Sequence, residues 1–402
     1  MALTSLKHKT DVNKSLSFDD TEISFRGKSN AYINRAYWLF KIISNNFLTK
    51  VGPPITELAL KIGLPIKSLI KATIFKHFCG GETIEECEAT VIALDNGKVG
   101  SILDYSIEGA EREDVFDHTC AEIIKTINRA KGDVRIPLTV FKVSGISRFC
   151  LLEKLNRSAV LSASEEAELI KINNRVNLIC ETAFKAGVQI MIDAEESWIQ
   201  NAIDTIAKKM MGLYNCEKLT VYNTYQLYRK DKLKSLKEDF LYSISEGFTL
   251  GAKLVRGAYM EKEGKRALEY NYASPIHLSK KETDDDYNAA ILFCLENVER
   301  IGFVAGTHNE ESCLLLAEFM DQKAITHSNP HVYFSQLMGM SDNLSFNLAD
   351  AGYNVAKYVP YGPVKEVLPY LFRRAQENTS ISGMMGRELS LIVSEKKRRK
   401  LN

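Results

Sequence analysis

Four residues near the C-terminus have the types and the spacing to hold an anion. Tyr370, Arg373, Arg374 and Glu377 fall at i, i+3, i+4 and i+7, so on a helix they share one face. Two adjacent guanidiniums, with an acid one turn on to orient them, form a fork-shaped receptor for a carboxylate or phosphate. The same pattern also describes a solvated helix face held by Arg–Glu pairs. The choice between the two depends on what surrounds the helix.

The elements that would position this face are read from hydrophobic patterning. Residues 1–30 are polar, mixed in charge and short of apolar periodicity, which predicts a poorly structured segment. Residues 31–95 read as a helical N-terminal arm, broken at Gly52-Pro-Pro54 and Gly63-Leu-Pro65. Over 98–380 the pattern changes to eight short apolar runs rich in β-branched residues, with helical segments between them. The runs are 100–105, 137–143, 188–193, 219–223, 251–256, 301–305, 332–335 and 355–359. Eight β/α repeats in one domain predict an α/β fold, a distorted (β/α)8 TIM-type barrel with an added helical N-terminal arm. No GxGxxG follows any run, so a Rossmann nucleotide site is not supported. Residues 381–402 read as a C-terminal helix and a basic tail.

Such a barrel builds its site at the C-terminal ends of its strands, and here those ends are polar. They carry Asp104 and then Glu108, Lys142, Asp193, Asn223 and Gln226, Lys253, Arg256 and Tyr259, Thr307-His-Asn309, Gln336 with Leu337, and Tyr358. The Arg373/Arg374 helix follows the eighth run through Pro360-Tyr-Gly-Pro363 and therefore lies over the mouth. Lys142, Arg373 and Arg374 make a cationic pocket, with Asp193 as the acid near them. Tyr259, Tyr358, Tyr370 and Leu337 can wall an apolar ring. A small anion with an apolar body fits this set. No Ser–His–Asp or Cys–His set emerges, which argues against a hydrolase. A Schiff-base lyase using Lys142 or Lys253 stays open on spacing alone.

Composition narrows the class. A chain of 402 residues with 45% hydrophobic content can bury a large core. Net charge of +1 gives no field for nucleic acid. The eight cysteines form no CxxC pair and several sit in apolar segments, so we expect reduced thiols and no zinc site. Asp284-Asp-Asp286 reads as helix-opening acids rather than a metal site. No apolar run is long enough to span a bilayer. Met1 to Ser17 lack the apolar core of a secretory signal, and their lysines argue against an arginine-rich mitochondrial presequence. The run Lys396-Lys-Arg-Arg-Lys400 reads either as a solvated tail or as a peripheral membrane contact.

These motifs resemble the proline dehydrogenase family. The matching pieces are Ile192-Asp-Ala-Glu-Glu196, Tyr222-Asn-Thr-Tyr-Gln226, Lys253-Leu-Val-Arg-Gly-Ala-Tyr259, Thr307-His-Asn309, Tyr333-Phe-Ser-Gln-Leu337, Tyr358-Val-Pro-Tyr-Gly362 and the Tyr370 to Glu377 face, in order over about 98–380. The resemblance implies FAD at the barrel mouth and oxidation of L-proline to Δ1-pyrroline-5-carboxylate, with hydride leaving C5 for the flavin and electrons passing to a quinone. It implies that Lys142, Arg373 and Arg374 bind the proline carboxylate. Tyr358, Tyr370, Tyr259 and Leu337 would enclose the ring. Asp193, Lys253 and Tyr259 take catalytic positions. Ala194, Asn223, Gln226, Lys253, Val255, Arg256, Gly257, Thr307, His308 and Asn309 take flavin-binding positions, and Glu108 and Glu377 take gate positions. Asn223, Lys253 and Arg256 follow the eukaryotic-type pattern where many bacterial members carry Gln, Arg and Lys. Tyr358 favours proline over hydroxyproline. Two locations follow: a bacterial cytoplasm at the inner face of the membrane, or the matrix side of the mitochondrial inner membrane.

Overall fold

The computed structural model describes residues 16–44, 52, 54, 56, 62, 65–105, 111–380 and 384–401, with side chains left aside over 375–385. Eight parallel strands close into a barrel in sequence order: β1 (Gly100–Tyr105), β2 (Leu138–Phe141), β3 (Gln189–Ile192), β4 (Val221–Gln226), β5 (Leu250–Val255), β6 (Ile301–Gly306), β7 (Val332–Leu337) and β8 (Val355–Tyr361). β1 closes the ring on β8, with Ile102 opposite Tyr358 and Asp104 opposite Pro360. All eight predicted runs are strands.

The strands are buried on both faces, and parity decides which side chain serves the site. Ile102, Leu138, Val140, Met191, Tyr222 and Val304 fill the interior, the packed core expected of such a barrel. Alternate residues such as Leu103, Ile190, Val221 and Leu254 pack under the helical layer. The helices between strands are capped locally. Ser162 and Ser279 each close a capping box with the glutamate three residues on. Gly187 and Gly247, at φ +70° and +78°, end the helices that feed β3 and β5. Asp284 to Asp286 lie in the second turn of the helix Lys280–Glu296, not at its start.

Residues 16–30 depart from the expected poor structure. Asp20 caps a helix over Thr21–Phe25, and Phe18 and Phe25 are buried. The amides of Asn343 and Asn347 donate to the backbone oxygens of Phe18 and Asp20. Two aromatic anchors are enough to dock a segment that is otherwise polar. Residues 1–15 lie outside the described residues, as do most positions between 45 and 64. The rest of the arm contains the helices Asn30–Ile43 and Ile84–Asp95, and a helical run over Lys67–Phe78 with a π-turn at Lys71–Phe75.

The C-terminal helix Met384–Arg398 packs on the helix Asn30–Ile43. Its basic end is partly used in that docking. Arg399 donates to the backbone oxygens of Phe25 at 2.6 Å and Lys28 at 2.7 Å, and to Asn30 Oδ1 at 3.0 Å. Arg398 and Arg399 both pair with the buried Glu395. Arg399→Ala should therefore lower stability by about 2 kcal/mol, since hydrogen bonds to a charged donor contribute roughly 1.5–3 kcal/mol. Thermal unfolding measures this, and an unchanged midpoint would mean that the tail is solvated. Among the described residues, no helix is long and apolar enough to cross a membrane. All eight cysteines are free, six of them buried.

Candidate active site

Four side chains from four strand ends meet inside the mouth. Lys253, the inward residue of β5, places Nζ 2.5 Å from Asp193 Oδ1 and 2.5 Å from the Tyr358 hydroxyl. Lys142, just past β2, donates to Asp193 Oδ2 at 3.1 Å and lies 4.0 Å from Asp104 Oδ2 on β1. The Tyr358 hydroxyl also donates to Asp193 Oδ1 at 3.3 Å. Lys253 Nζ lies 4.5 Å from the centre of the Tyr358 ring. All are buried or nearly so.

Burial alone would raise the Asp193 pKa. The ammoniums of Lys253 and Lys142 outweigh it and hold the carboxyl at about 2. Burial pulls Lys253 downward, with Asp193 opposing. At neutral pH this core is two cations facing two carboxylates, so an incoming anion needs further positive charge.

The helix Val364–Ser380 carries further positive charge, on Arg373 and Arg374. Tyr370 and Arg374 are buried, and the Arg374 guanidinium stacks over the Tyr370 ring at 5.2 Å. Arg374 is near enough to His308 to depress its pKa. Leu337, at the end of β7, packs against both the cluster holding Tyr370 and the cluster holding Tyr358. The structure thus joins three of the proposed ring-walling residues. Tyr259 is buried where the helix Met260–Glu269 starts. The Glu377 side chain and Glu108 lie outside the described residues.

The ends of β5 and β6 form a second group. Arg256 donates to Asp284 Oδ1 at 2.6 Å, Thr307 Oγ1 at 2.5 Å and Ser312 Oγ at 2.9 Å, and stacks on the Tyr287 ring at 4.3 Å. Thr307 Oγ1 also accepts from Asn309 N at 3.1 Å. His308 Nδ1 is 2.9 Å from Ser341 Oγ. Burial, with the nearby cations Lys357, Arg374 and Arg256, lowers His308 to about 3, so it is neutral. Gly257 has φ +137°, and a Cβ there would meet the Tyr228 ring at 2.4 Å. Only glycine carries the chain over the rim at this point. Gly306 has no side chain beside Val255, and a Cβ would sit 3.1 Å from Val255 Cγ1. Together with Lys253, this leaves an apolar shelf with a cation at its edge, which suits a flat polar ring system.

Asn223 and Gln226, also read as cofactor contacts, hydrogen-bond within the protein. Asn223 lies on the outer face of β4, where its amide donates to Asp204 Oδ1 at 3.0 Å under the helix Ser197–Tyr214. Gln226 braces two loops. Its Nε2 donates to Glu195 O at 2.7 Å, and its Oε1 accepts from Ala258 N at 3.1 Å. Gln226 thereby ties the loop holding Asp193 and Ala194 to the loop holding Gly257. Sequence reasoning missed several supporting groups. Asp284 anchors Arg256. Glu195, raised by burial to about 7, accepts from both N and Oγ of Ser144 just past Lys142. Ser341 holds His308. Asp284 left a trace in the acidic run it belongs to, and Glu195 in the motif Ile192-Asp-Ala-Glu-Glu196.

Known proteins similar to this chain bear on its family and its fold. Residues 87–387 match the family model described as proline dehydrogenase. The chain is 33% identical to "Proline dehydrogenase 1, mitochondrial" of Dictyostelium discoideum, over 96% of this chain and 76% of that protein. It is 39% identical to the Homo sapiens protein of the same name, over 79% of this chain and 54% of that one. In fold it is similar to proline utilization A (PutA) from Bdellovibrio bacteriovorus, in a crystal structure of the protein inactivated by N-propargylglycine. The TM-score is 0.71 at 18% identity, covering 92% of this chain and 40% of that one. The chain spans about two fifths of that larger protein. A match over three quarters of its length, with relatives of that name at this identity, places the chain in the proline dehydrogenase family.

Proposed function

We propose that the chain oxidises L-proline to Δ1-pyrroline-5-carboxylate with FAD, passing the electrons on to a quinone. The observation that carries this reading is the Asp193–Lys253–Tyr358–Lys142 cluster beneath the rim of β5 and β6. FAD, when bound, supplies the two-electron acceptor. The residues present fit it: Val255 and Gly306 offer the shelf, Lys253 the cation at its edge, and Ala194, Gly257, Thr307, His308 and Asn309 the rim. Arg256 and Gln226 support that rim from behind, and Asn223 acts from the helix side.

Loss of hydride from C5 draws on the ring nitrogen lone pair, so proline must react as the neutral amine. Lys142, Arg373 and Arg374 clamp the carboxylate and fix the ring. Tyr259, Tyr358, Tyr370 and Leu337 enclose it and exclude water. Asp193 stays ionised and holds the protons on Lys142 Nζ and Lys253 Nζ, so both remain hydrogen-bond donors. Glu108 and Glu377 are proposed as the gate. The relatives' names favour a mitochondrial location over a bacterial cytoplasm; within it we place the chain on the matrix side of the inner membrane, touching the membrane surface through its basic end.

The test is an absorbance spectrum of the purified protein before and after anaerobic L-proline. Flavin bands that bleach with proline and not with hydroxyproline are expected. Flavin that stays oxidised would remove the substrate, and failure to take up FAD would remove the cofactor. Arg373→Met and Arg374→Met should each raise KM for proline, equivalent to roughly 1.5–3 kcal/mol of lost binding. Steady-state kinetics checks this, and an unchanged KM would take the clamp away from that helix.

A further inference from the structure

Two loops leave the barrel side by side after β2 and β3, and one buried acid joins them. Phe141 and Ile192 are the last paired residues of the two strands. The next residue in each loop is Lys142 and Asp193, whose side chains meet at 3.1 Å. Two positions further on, in both loops, come Ser144 and Glu195. The Glu195 carboxyl accepts from the Ser144 backbone N–H at 3.0 Å and from the Ser144 hydroxyl. Glu195 and Ser144 are buried, at 3% and 4% exposure. The Lys142–Asp193 and Ser144–Glu195 contacts are thus successive rungs between the same two loops.

Glu195 is itself fixed at every polar group. Its N–H donates to Gln200 Oε1 and its carbonyl accepts from Gln226 Nε2, each at 2.7 Å. Ser144 lies in the tight turn Val143–Gly145, which closes through the Gly145 N–H donating to Lys142 O at 3.2 Å. Holding Ser144 therefore holds the backbone of Lys142. Burying a carboxyl group is costly unless its oxygens are hydrogen-bonded, and here both oxygens go to one residue of the neighbouring loop.

The lysine needs such a hold. Its stem is flexible, and its ammonium is a point charge without the fork of an arginine. The side chain is 14% exposed, so packing does not enclose it on all sides. We propose that Glu195 is a positioning residue: through Ser144 it sets where Lys142 Nζ sits, and so the affinity of the mouth for a carboxylate. Asp193 orients the ammonium, while Glu195 fixes the backbone from which the side chain starts. Glu195 does this without touching the bound molecule. The consequence for L-proline rests on the proposed function, but the placement of Lys142 can be read without substrate or cofactor.

The experiment is acetylation of the lysines of the full chain at limiting reagent, read peptide by peptide by mass spectrometry. Lys232, with its side chain 3% exposed and paired with Asp204, is the internal reference, because reagent reaches it only when the fold opens. In Glu195→Ala, acetylation of Lys142 relative to Lys232 should rise by about 5-fold, the shift that one lost hydrogen bond gives. Glu195→Gln keeps an oxygen for the Ser144 N–H and offers an amide donor to the Ser144 hydroxyl oxygen, so it should stay close to wild type. An equal rise at both lysines in Glu195→Ala would overturn the proposal, because it reports a general loosening. A Glu195→Gln that labels like Glu195→Ala would overturn it too. Should Glu195→Ala not fold, Ser144→Ala removes the hydroxyl donor alone and keeps the backbone bond. A smaller rise confined to Lys142 is expected there, and labelling equal to wild type would equally overturn the proposal. In Glu195→Ala the KM for L-proline should also rise by about 5-fold, with less change in kcat. Failure of the protein to oxidise proline would remove the proposed function, and the acetylation comparison would still decide what places Lys142.

Discussion

Asp193→Ala should destabilise the protein by about 3–5 kcal/mol and lower kcat by about 100-fold or more. The first figure comes from what the substitution leaves behind. Lys253 is 6% exposed, and Asp193 is the carboxylate within hydrogen-bond distance of its ammonium. Removing one partner of a buried pair strands the other charge, which costs more than the pair contributed. Lys142 suffers less, because Asp104 remains 4.0 Å away. Burial already pulls the Lys253 pKa down, so loss of the opposing Asp193 carboxylate should lower it further. The second figure follows from the loss of two oriented donors in a water-poor site. The pair reading has a sharper test in the double variant Asp193→Ala/Lys253→Met. With both charges gone, more than half of the lost stability should return while activity stays lost. Stability losses that simply add in urea unfolding would mean that the two side chains are not coupled.

The sequence made part of this site legible and hid the rest for identifiable reasons. The strand ends were visible because each run is short and stops at a polar residue, which located Lys142, Asp193, Lys253 and Tyr358 at one mouth. The facing of each residue was not visible. A parallel strand buried on both sides has no apolar–polar alternation to read, and all six residues of β4 are buried. Thr224 and Gln226 therefore face in while Asn223 faces out, and nothing local marks the difference. Arg256 is a parallel case, since its outward turn depends on Asp284 and Tyr287, about 30 residues on. Contacts made across the chain leave no local signal at all: Glu388 and Ser341 are 47 residues apart and belong to no shared motif. The docked segment at 16–30 was misread because its average composition is polar. Two buried aromatics outweighed that average.

The second large effect concerns acid, and wild-type measurements alone would conceal it. His77 is buried, with Nε2 2.9 Å from Gly339 O and its ring packed by Tyr32, Phe40 and Phe78. Burial lowers its pKa from 6.5 to about 4, against the opposing pull of Asp342. The folded value lies below the unfolded one. The stability conferred by neutral His77 is therefore complete above about pH 6.5 and is lost as pH falls to about 4. The total is about 3 kcal/mol at roughly 1.4 kcal/mol per pKa unit. His308, lowered to about 3, acts in the same direction. Glu195 and Glu388, raised from 4.5 to about 7, act in the opposite one, because the folded state holds their protons where the unfolded chain has released them. Between about pH 4.5 and 6.5, two groups then bind more protons unfolded and two bind more protons folded. Their slopes cancel, and wild-type stability should be nearly flat there. His77→Gln removes one side of that balance. Its amide can still reach Gly339 O, but the lost ring packing should leave it less stable than wild type at pH 7. The gap should shrink with acid and move by about 3 kcal/mol in favour of the variant by pH 4. A carboxylate remote from His77 such as Glu82, held near 2, also loses stabilisation in acid, but it does so in both proteins and drops out of the difference. Urea unfolding of the two proteins across this range is the measurement. A gap that stays constant with pH would mean that His77 is protonated as easily in the fold as in the unfolded chain.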